Sequence, residues 1–384
     1  MTPNFEVKLS ATAMNRWRIL AGIGAVALVA ALFVSPSSAW AALAAGYLLT
    51  GFGLAGLVFV AIQYACGAGW SVAFRRVPEA MTAILPVGLL ALALVFVARP
   101  SLYPWTSHET HAGFQRFWLR WPFFFGRAVV YMAVWTAFAI AMVRTSRRQD
   151  DDGAVSHTRR AVHLSIVFLI AFALTFWLAS FDWIMSLDPS WASTIFGIYN
   201  FAGMFSGGLA LLILLVLWLR RGVLRDFVNE EHLHDLGKML FAFSTFWMYI
   251  WFSQYMLIWY ADIGEETSYY VARLHNAWGP LFLLNVVLNG AAPFAALLPR
   301  APKRSPRALA RVSAVVLAGR VLDVYLMIAP TSQGGHPHID IAGLGLLLGV
   351  AAAVVLAFYR GIRTASPVPV NDPYLEESLH YHNA

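Results

Sequence analysis

The sequence predicts an all-α polytopic membrane protein, and three observations carry that prediction. Of 384 residues, 59% are hydrophobic and only 12% are Asp, Glu, Lys or Arg. A soluble chain of this size is roughly a quarter charged, and this one lacks the charge to cover a water-exposed surface. Apolar runs of about 20 residues recur along the chain, the length of a helix crossing the hydrocarbon core. The alternation of a transmembrane β-barrel strand is absent.

Residues 1–16 form a polar N-tail. The first apolar run, Trp17–Val34, ends at Ser35-Pro36. With Arg16 and Arg18 ahead of it and Ala39-Trp40-Ala41 behind, it has some marks of a signal peptide. It is long for one, and a second spanning run follows at once. The remaining runs are Trp40–Cys66, Pro78–Ala98, Phe123–Val143, Val162–Met185, Thr194–Leu219, Leu236–Ala261, Tyr270–Leu298, Ala308–Ile328 and Ile341–Tyr359. That makes ten helices in a membrane domain of residues 17–360. Pro86 and Pro280 predict kinks in the third and eighth. Between the third and fourth, Arg99 to Trp121 mixes Tyr103, Trp105, Phe114, Phe117 and Trp118 with Arg116 and Arg120, which suits a short helix lying in the interface. Gly203-xxx-Gly207 and Gly345-xxx-Gly349 allow close helix packing. The tail, 361–384, is polar, carries Pro367, Pro369 and Pro373, and is expected in water or against a partner.

Orientation follows from the cations outside the runs or close to their ends. Alternate loops and both tails carry 21 Lys and Arg, against five on the other side: Arg99, Arg116, Arg120, Arg127 and Arg273. Both termini are therefore expected in the cytoplasm. The net charge of +7 follows from this distribution and is no sign of nucleic acid.

Composition excludes several chemistries. The single cysteine, Cys66, read as a small buried apolar residue, rules out a disulfide framework and an iron–sulfur cluster held by this chain alone. A bis-histidine haem needs histidines facing each other within the membrane; the runs contain only His163 and His275, expected at opposite faces. His108-Glu109-Thr110-His111 has the wrong spacing for a helical zinc motif, and His336 and His338 read as ordinary loop residues. No phosphate-binding glycine loop is present. We expect no metal site and no redox cofactor bound by this chain.

The chemistry that remains is polar groups inside apolar runs. Asp182 lies in the fifth helix, before the turn Ser186-Leu187-Asp188-Pro189-Ser190. Arg320 and Asp323, three apart, are neighbours on the ninth. Asn285 and Asn289 share a face of the eighth and read as interhelical hydrogen-bonding residues. Glu79, His163 and Lys238 lie near the cytoplasmic ends of the third, fifth and seventh; Asp188, His275 and Asp340 lie in the outer loops. Two readings stand. Arg320–Asp323 is a structural ion pair and Asp182 is paired near the interface, or the set forms a proton path, with outer access at Asp188, His275 and Asp340 and inner access at Glu79, His163 and Lys238. The seventh helix, rich in Trp and Tyr, offers Trp251, Tyr255 and Gln254 to a flat head group such as a quinone, or else forms bundle core and interfacial belt.

Several strings resemble one family. Phe181-Asp182-Trp183-Ile184-Met185-Ser186-Leu187-Asp188-Pro189-Ser190-Trp191, continuing Ser193-Thr194-Ile195-Phe196-Gly197-Ile198-Tyr199 and Phe201-Ala202-Gly203, resembles the signature of the large membrane subunits of alternative complex III. These are NrfD/polysulfide-reductase-type subunits of a bacterial quinol:cytochrome c oxidoreductase. Asp235-Leu236-Gly237-Lys238, the stretch Phe252 to Ala261, and Glu265-Glu266-Thr267 extend the likeness. Asn371-Asp372-Pro373 and Leu375-Glu376-Glu377-Ser378-Leu379 are similar to the shorter, ActF-like, of two paralogous subunits. Ser190 stands where the resemblance leads one to expect His.

The resemblance implies two four-helix bundles, helices 2–5 and 6–9, flanked by helices 1 and 10, in the bacterial inner membrane. It implies a subunit without a redox centre, supporting quinol oxidation and conducting protons. The implied partners are a longer paralogous ten-helix subunit, an iron–sulfur subunit and c-type haem subunits. The rival expectations are a purely structural anchor in such a complex and a secondary transporter whose helices break at Pro86 and Pro280.

Overall fold

The computed structural model describes residues 7–35, 38–107, 113–274 and 276–382. Among these residues there are helices and turns and no strand. In lipid a backbone must satisfy its own polar groups, which a helix does along its length. Ten long helices carry the fold: α1 (Ala11–Val34), α2 (Ala39–Ala65), α3 (Val72–Ala98), α4 (Trp121–Asp152), α5 (Val155–Leu187), α6 (Phe196–Leu219), α7 (Glu230–Ala261), α8 (Gly279–Leu297), α9 (Pro306–Gln333) and α10 (Ile341–Ile362). All but α7 are apolar and long enough to cross a membrane, nine among the described residues. The chain therefore has the fold of a polytopic helical membrane protein. Trp, Tyr, Ser and Gln dilute the aliphatic content of α7.

The helices pack in sequence order. α2 lies against α3 and α5, α3 against α4, and α4 against α5. Similarly α6 lies against α7 and α9, and α8 bridges α7 and α9. α2 also meets α6 and α9, joining the two sets. Both α2 and α6 are apolar on every face and buried on nearly all sides, as helices without a polar stripe should be. α1 pairs with α10, and α10 rests on α2 and α3. Gly24 and Gly349 meet backbone to backbone, and a Cβ on Gly345 would stand 2.7 Å from the Ala27 Cβ, so the Gly345-xxx-Gly349 spacing does seat a helix. The Leu9 amide donates to the Tyr359 hydroxyl at 3.4 Å, and Ser38 donates to Asp340 at the opposite end of the pair. The start of α1 and the end of α10 therefore lie at one end of the molecule, called here the tail end; the other is the far end.

Several expectations change. α4 and α5 run well beyond their apolar cores at the tail end, where the largely polar residues 144–152 of α4 and 155–160 of α5 continue as helix. α3 breaks at a 3-10 turn, Thr82–Ile84, directly before Pro86, whose ring excludes the carbonyl four residues back. The expected run Tyr270–Leu298 divides instead: Gly264–Leu274 is a separate helix, and Pro280 begins α8 rather than kinking it. The wide turn in α8 falls later, at Val287–Ala291. Between α3 and α4 a short helix, Gly113–Trp118, exposes Phe114 and Phe117 as an interfacial helix would, but Tyr103 and Trp105 are buried. Cys66 is exposed, at the C-cap of α2.

The C-terminal tail corrects an expectation outright, since it folds back on its own chain. The Ser378 hydroxyl donates to the Trp70 carbonyl at 2.7 Å and accepts from the Ala73 amide at 3.0 Å. Asp372 pairs with Arg75 at 2.6 Å, and Tyr381 donates to Asp235 on α7 at 2.6 Å.

Candidate functional site

The long helices α5 and α9 each carry one enclosed carboxylate. Asp182, near the far end of α5, is 1% exposed. From the second turn of α4, Arg127 donates Nε to Oδ2 at 2.8 Å and Nη2 to Oδ1 at 2.7 Å. Tyr131, one turn further on the same face, donates its hydroxyl to Oδ2 at 3.0 Å, and Trp118 donates Nε1 to Oδ1 at 2.8 Å. The guanidinium also lies 4.0 Å from the Trp118 ring centroid and donates Nη1 to that residue's carbonyl at 2.9 Å. Four donors, two of them from one planar guanidinium, fix the orientation of this carboxylate. A cavity of about 340 Å³ opens beside it, lined in part by Phe114, Asp188 and Trp191.

Asp323, on α9, is fully enclosed. Arg320 donates Nη1 to its Oδ2 at 2.6 Å. Tyr199 of α6 donates its hydroxyl to Oδ1, and Asn285 of α8 donates Nδ2 to the same oxygen at 3.0 Å. Asn289, inside the wide turn of α8, donates to Asn285 Oδ1 at 2.7 Å. Three helices thus converge on one carboxylate. Gly203 and Gly207 make room for the arginine: a Cβ would fall 2.5 Å from its Nη1 at the first and 2.7 Å from its Cγ at the second. This glycine pair accommodates a cation, where the pair on α10 accommodates a helix. Tyr47 of α2 stands between the sets; its hydroxyl donates to Asn200 at 2.9 Å, and its ring centroid lies 5.9 Å from the Arg320 guanidinium.

The expected single network is therefore two clusters. Asp182 takes its cation from α4 and Asp323 from its own helix, and among the described residues no hydrogen bond joins them. The other expected path residues scatter. Glu79 joins a buried cluster at the tail end, accepting from Arg76 at 2.5 Å and from Ser146 at 2.6 Å, with Arg75 at 3.4 Å. His163 points outward, bonded to the Arg159 carbonyl at 2.7 Å, and the half-exposed Lys238 pairs with Asp235 at 2.5 Å. Neither reaches Glu79, because each sits on an outer face of its helix. Asp340 caps α10, accepting from the Gly343 amide at 2.7 Å, a local role that its position before the helix dictates. Asp188 lies at the far-end turn, where Ser190 donates to it at 2.6 Å. His275 lies outside the described residues, as do His108, Glu109, Thr110 and His111.

None of the main cavities among the described residues is lined by all three residues expected to hold a quinone. Trp251 and Tyr255 stack on each other, centroids 5.7 Å apart and 6° from parallel, so no ring fits between them. Tyr255 lines a far-end cavity of about 380 Å³, but Trp251 and Gln254 do not. Gln254 is buried, and its Oε1 finds no hydrogen-bond partner among the described residues.

Arg127, Tyr131, Trp118, Tyr199 and Tyr47 were not anticipated. Arg127 carried a signal, since it falls inside the apolar run Phe123–Val143 and a cation there seeks a carboxylate. The aromatic partners carried none among 14 Tyr and 15 Trp. Among the described residues no three His, Cys, Asp or Glu side chains gather as metal ligands would. Compared with protein-family models and with curated proteins, the chain finds no match.

Proposed function

We propose that this chain is an integral membrane subunit of a quinol:cytochrome c oxidoreductase of the alternative complex III kind, supporting quinol oxidation and moving protons. In this reading all ten long helices cross the bacterial inner membrane, as two four-helix bundles flanked by α1 and α10. The tail end, where most Lys and Arg lie, faces the cytoplasm. Electrons travel elsewhere, through an iron–sulfur subunit and c-type haem subunits beside a longer paralogous ten-helix subunit. Any quinone bound here would use the far-end cavities rather than the Trp251–Tyr255 stack.

The observation that carries the reading is the Asp323 cluster. An ionisable side chain fully inside a membrane domain is costly and points to function. Asp323 meets the Tyr199 hydroxyl, through which a proton can be relayed when the ion pair with Arg320 loosens, while the Asn285 amide holds the carboxylate in place. The motif strings around Asp182 and Gln254 support the placement in this family.

The test is Asp323→Asn in the assembled complex, with quinol turnover and proton uptake measured together. We expect assembly to persist and proton uptake per turnover to fall severalfold. Normal uptake and turnover in an assembled variant would remove Asp323 from any path. One observation favours the second reading, a purely structural anchor: Asp182 accepts four hydrogen bonds and has little acceptor capacity left for a moving proton. If neutralising both carboxylates changes assembly alone, the anchor is the better description.

A further inference from the structure

A further groove lies away from both carboxylates. It lies on the outer side, between the α1–α10 pair and α3, with a volume of about 820 Å³. That is within the range of ligand sites, about 300–1,000 Å³. Its walls are small and apolar, with Ala21, Ala25, Ala83, Ala91, Ala353 and Ala357 among them. Its tail end is different: Arg147 and Arg360 close it. A second groove of about 270 Å³ runs on the other side of Pro86, between α3 and α4, ending at Arg144 and Arg147. Arg147 thus borders both.

Arg76, nearby, is bound to Glu79 and Asp150, and Arg75 to Asp372. Among the described residues Arg144, Arg147 and Arg360 have no carboxylate within ion-pair distance. Arg147 reaches one carbonyl, that of Gly361, at 3.5 Å, and its buried Nε has no acceptor. A buried donor without an acceptor calls for one.

We infer that this pair of grooves binds one anionic phospholipid, an acyl chain on each side of α3 and the phosphate on Arg144, Arg147 and Arg360. Two apolar channels converging on one basic mouth match a two-chain, anionic amphiphile. Basic pockets between helices at the cytoplasmic side of a membrane hold such headgroups. A protein segment would need carboxylates and backbone partners that the apolar channels do not offer. The inference rests on the helices lying in a membrane, not on the quinol reading.

The test purifies the full chain in mild detergent and counts bound lipid by native mass spectrometry. Wild type should retain one phosphatidylglycerol in preference to phosphatidylcholine. Arg144→Gln, Arg147→Gln and Arg360→Gln combined should lower that retention about tenfold or more. Ala25→Leu with Ala353→Leu fills a channel and leaves the arginines, so it should also expel the lipid and guards against misfolding of the charge variant. Inorganic phosphate alone should neither bind nor raise the melting temperature. Equal retention in both variants, equal retention of phosphatidylcholine, or stabilisation by phosphate alone each overturns the inference.

Discussion

Asp182 and Asp323 show how differently a buried carboxylate can be held. Asp182 depends on Arg127, which lies on another helix. Arg127→Met strands the anion and is expected to cost about 3–5 kcal/mol. Adding Asp182→Leu removes the stranded charge, so the double variant should recover most of the loss. Reversible unfolding in mixed micelles measures both. Equal destabilisation of single and double variants would mean that the pair is not what Asp182 needs. The carboxylates themselves were legible in the sequence, because an acid in an apolar run is conspicuous. Their hydroxyl and indole partners were not, since tyrosine and tryptophan serve core, interface and hydrogen bonding alike.

At the scale of elements, prolines and glycines divide into the legible and the hidden. The break before Pro86 follows from local sterics and could be read directly. Pro330 lies inside α9, beyond the apolar run expected to end at Ile328, and its effect appears only in tertiary contact. A proline at 330 has no N–H for the Leu326 carbonyl. Arg273, buried on the helix Gly264–Leu274, supplies it, donating Nε to the Leu326 carbonyl at 2.8 Å and Nη2 to that of Met327 at 3.1 Å. Arg273→Leu should therefore cost about 1–3 kcal/mol through orphaned carbonyls. With Pro330→Ala in the background, α9 can satisfy Leu326 itself and the same substitution should cost less. A double-mutant cycle in thermal unfolding decides it; an identical cost in both backgrounds would refute the compensation. Gly203 and Gly345 make the same point. One spacing motif seats an arginine and the other a helix, and the local sequence does not distinguish them.

Across the whole molecule, the C-terminal tail ties the two helix sets together at the tail end. It bonds to the α2–α3 connection through Ser378, to α4 through Asn371 at 2.7 Å from the Asp150 carbonyl, and to α7 through Tyr381. His232, in the first turn of α7 and ahead of its apolar stretch, lies beneath this strap with Nε2 3.4 Å from the Ser378 hydroxyl. Burial pushes its pKa down from 6.5 to about 4. The released imidazole takes a proton before the docked one does. Docking is therefore at full strength above pH 6.5 and weakens as pH falls toward 4. Hydrogen exchange across residues 371–382 should quicken between pH 7 and pH 5 beyond the intrinsic change, and His232→Asn should flatten that dependence. A tail equally protected at both values in wild type would exclude His232 as the sensitive group.

The sequence by itself determined that this is a helical membrane-type chain, where most of its helices run, and which carboxylates stand inside them. Hydrophobic length and the exclusion of charge from lipid act locally along a helix, so they leave a pattern that can be read in order. Only the tertiary structure decided which cation meets which carboxylate, that Asp182 and Asp323 form two clusters, and that the tail folds home. Those outcomes depend on which faces of distant helices meet, and the apolar, glycine-rich surfaces that set the contacts carry almost no mark of their partners.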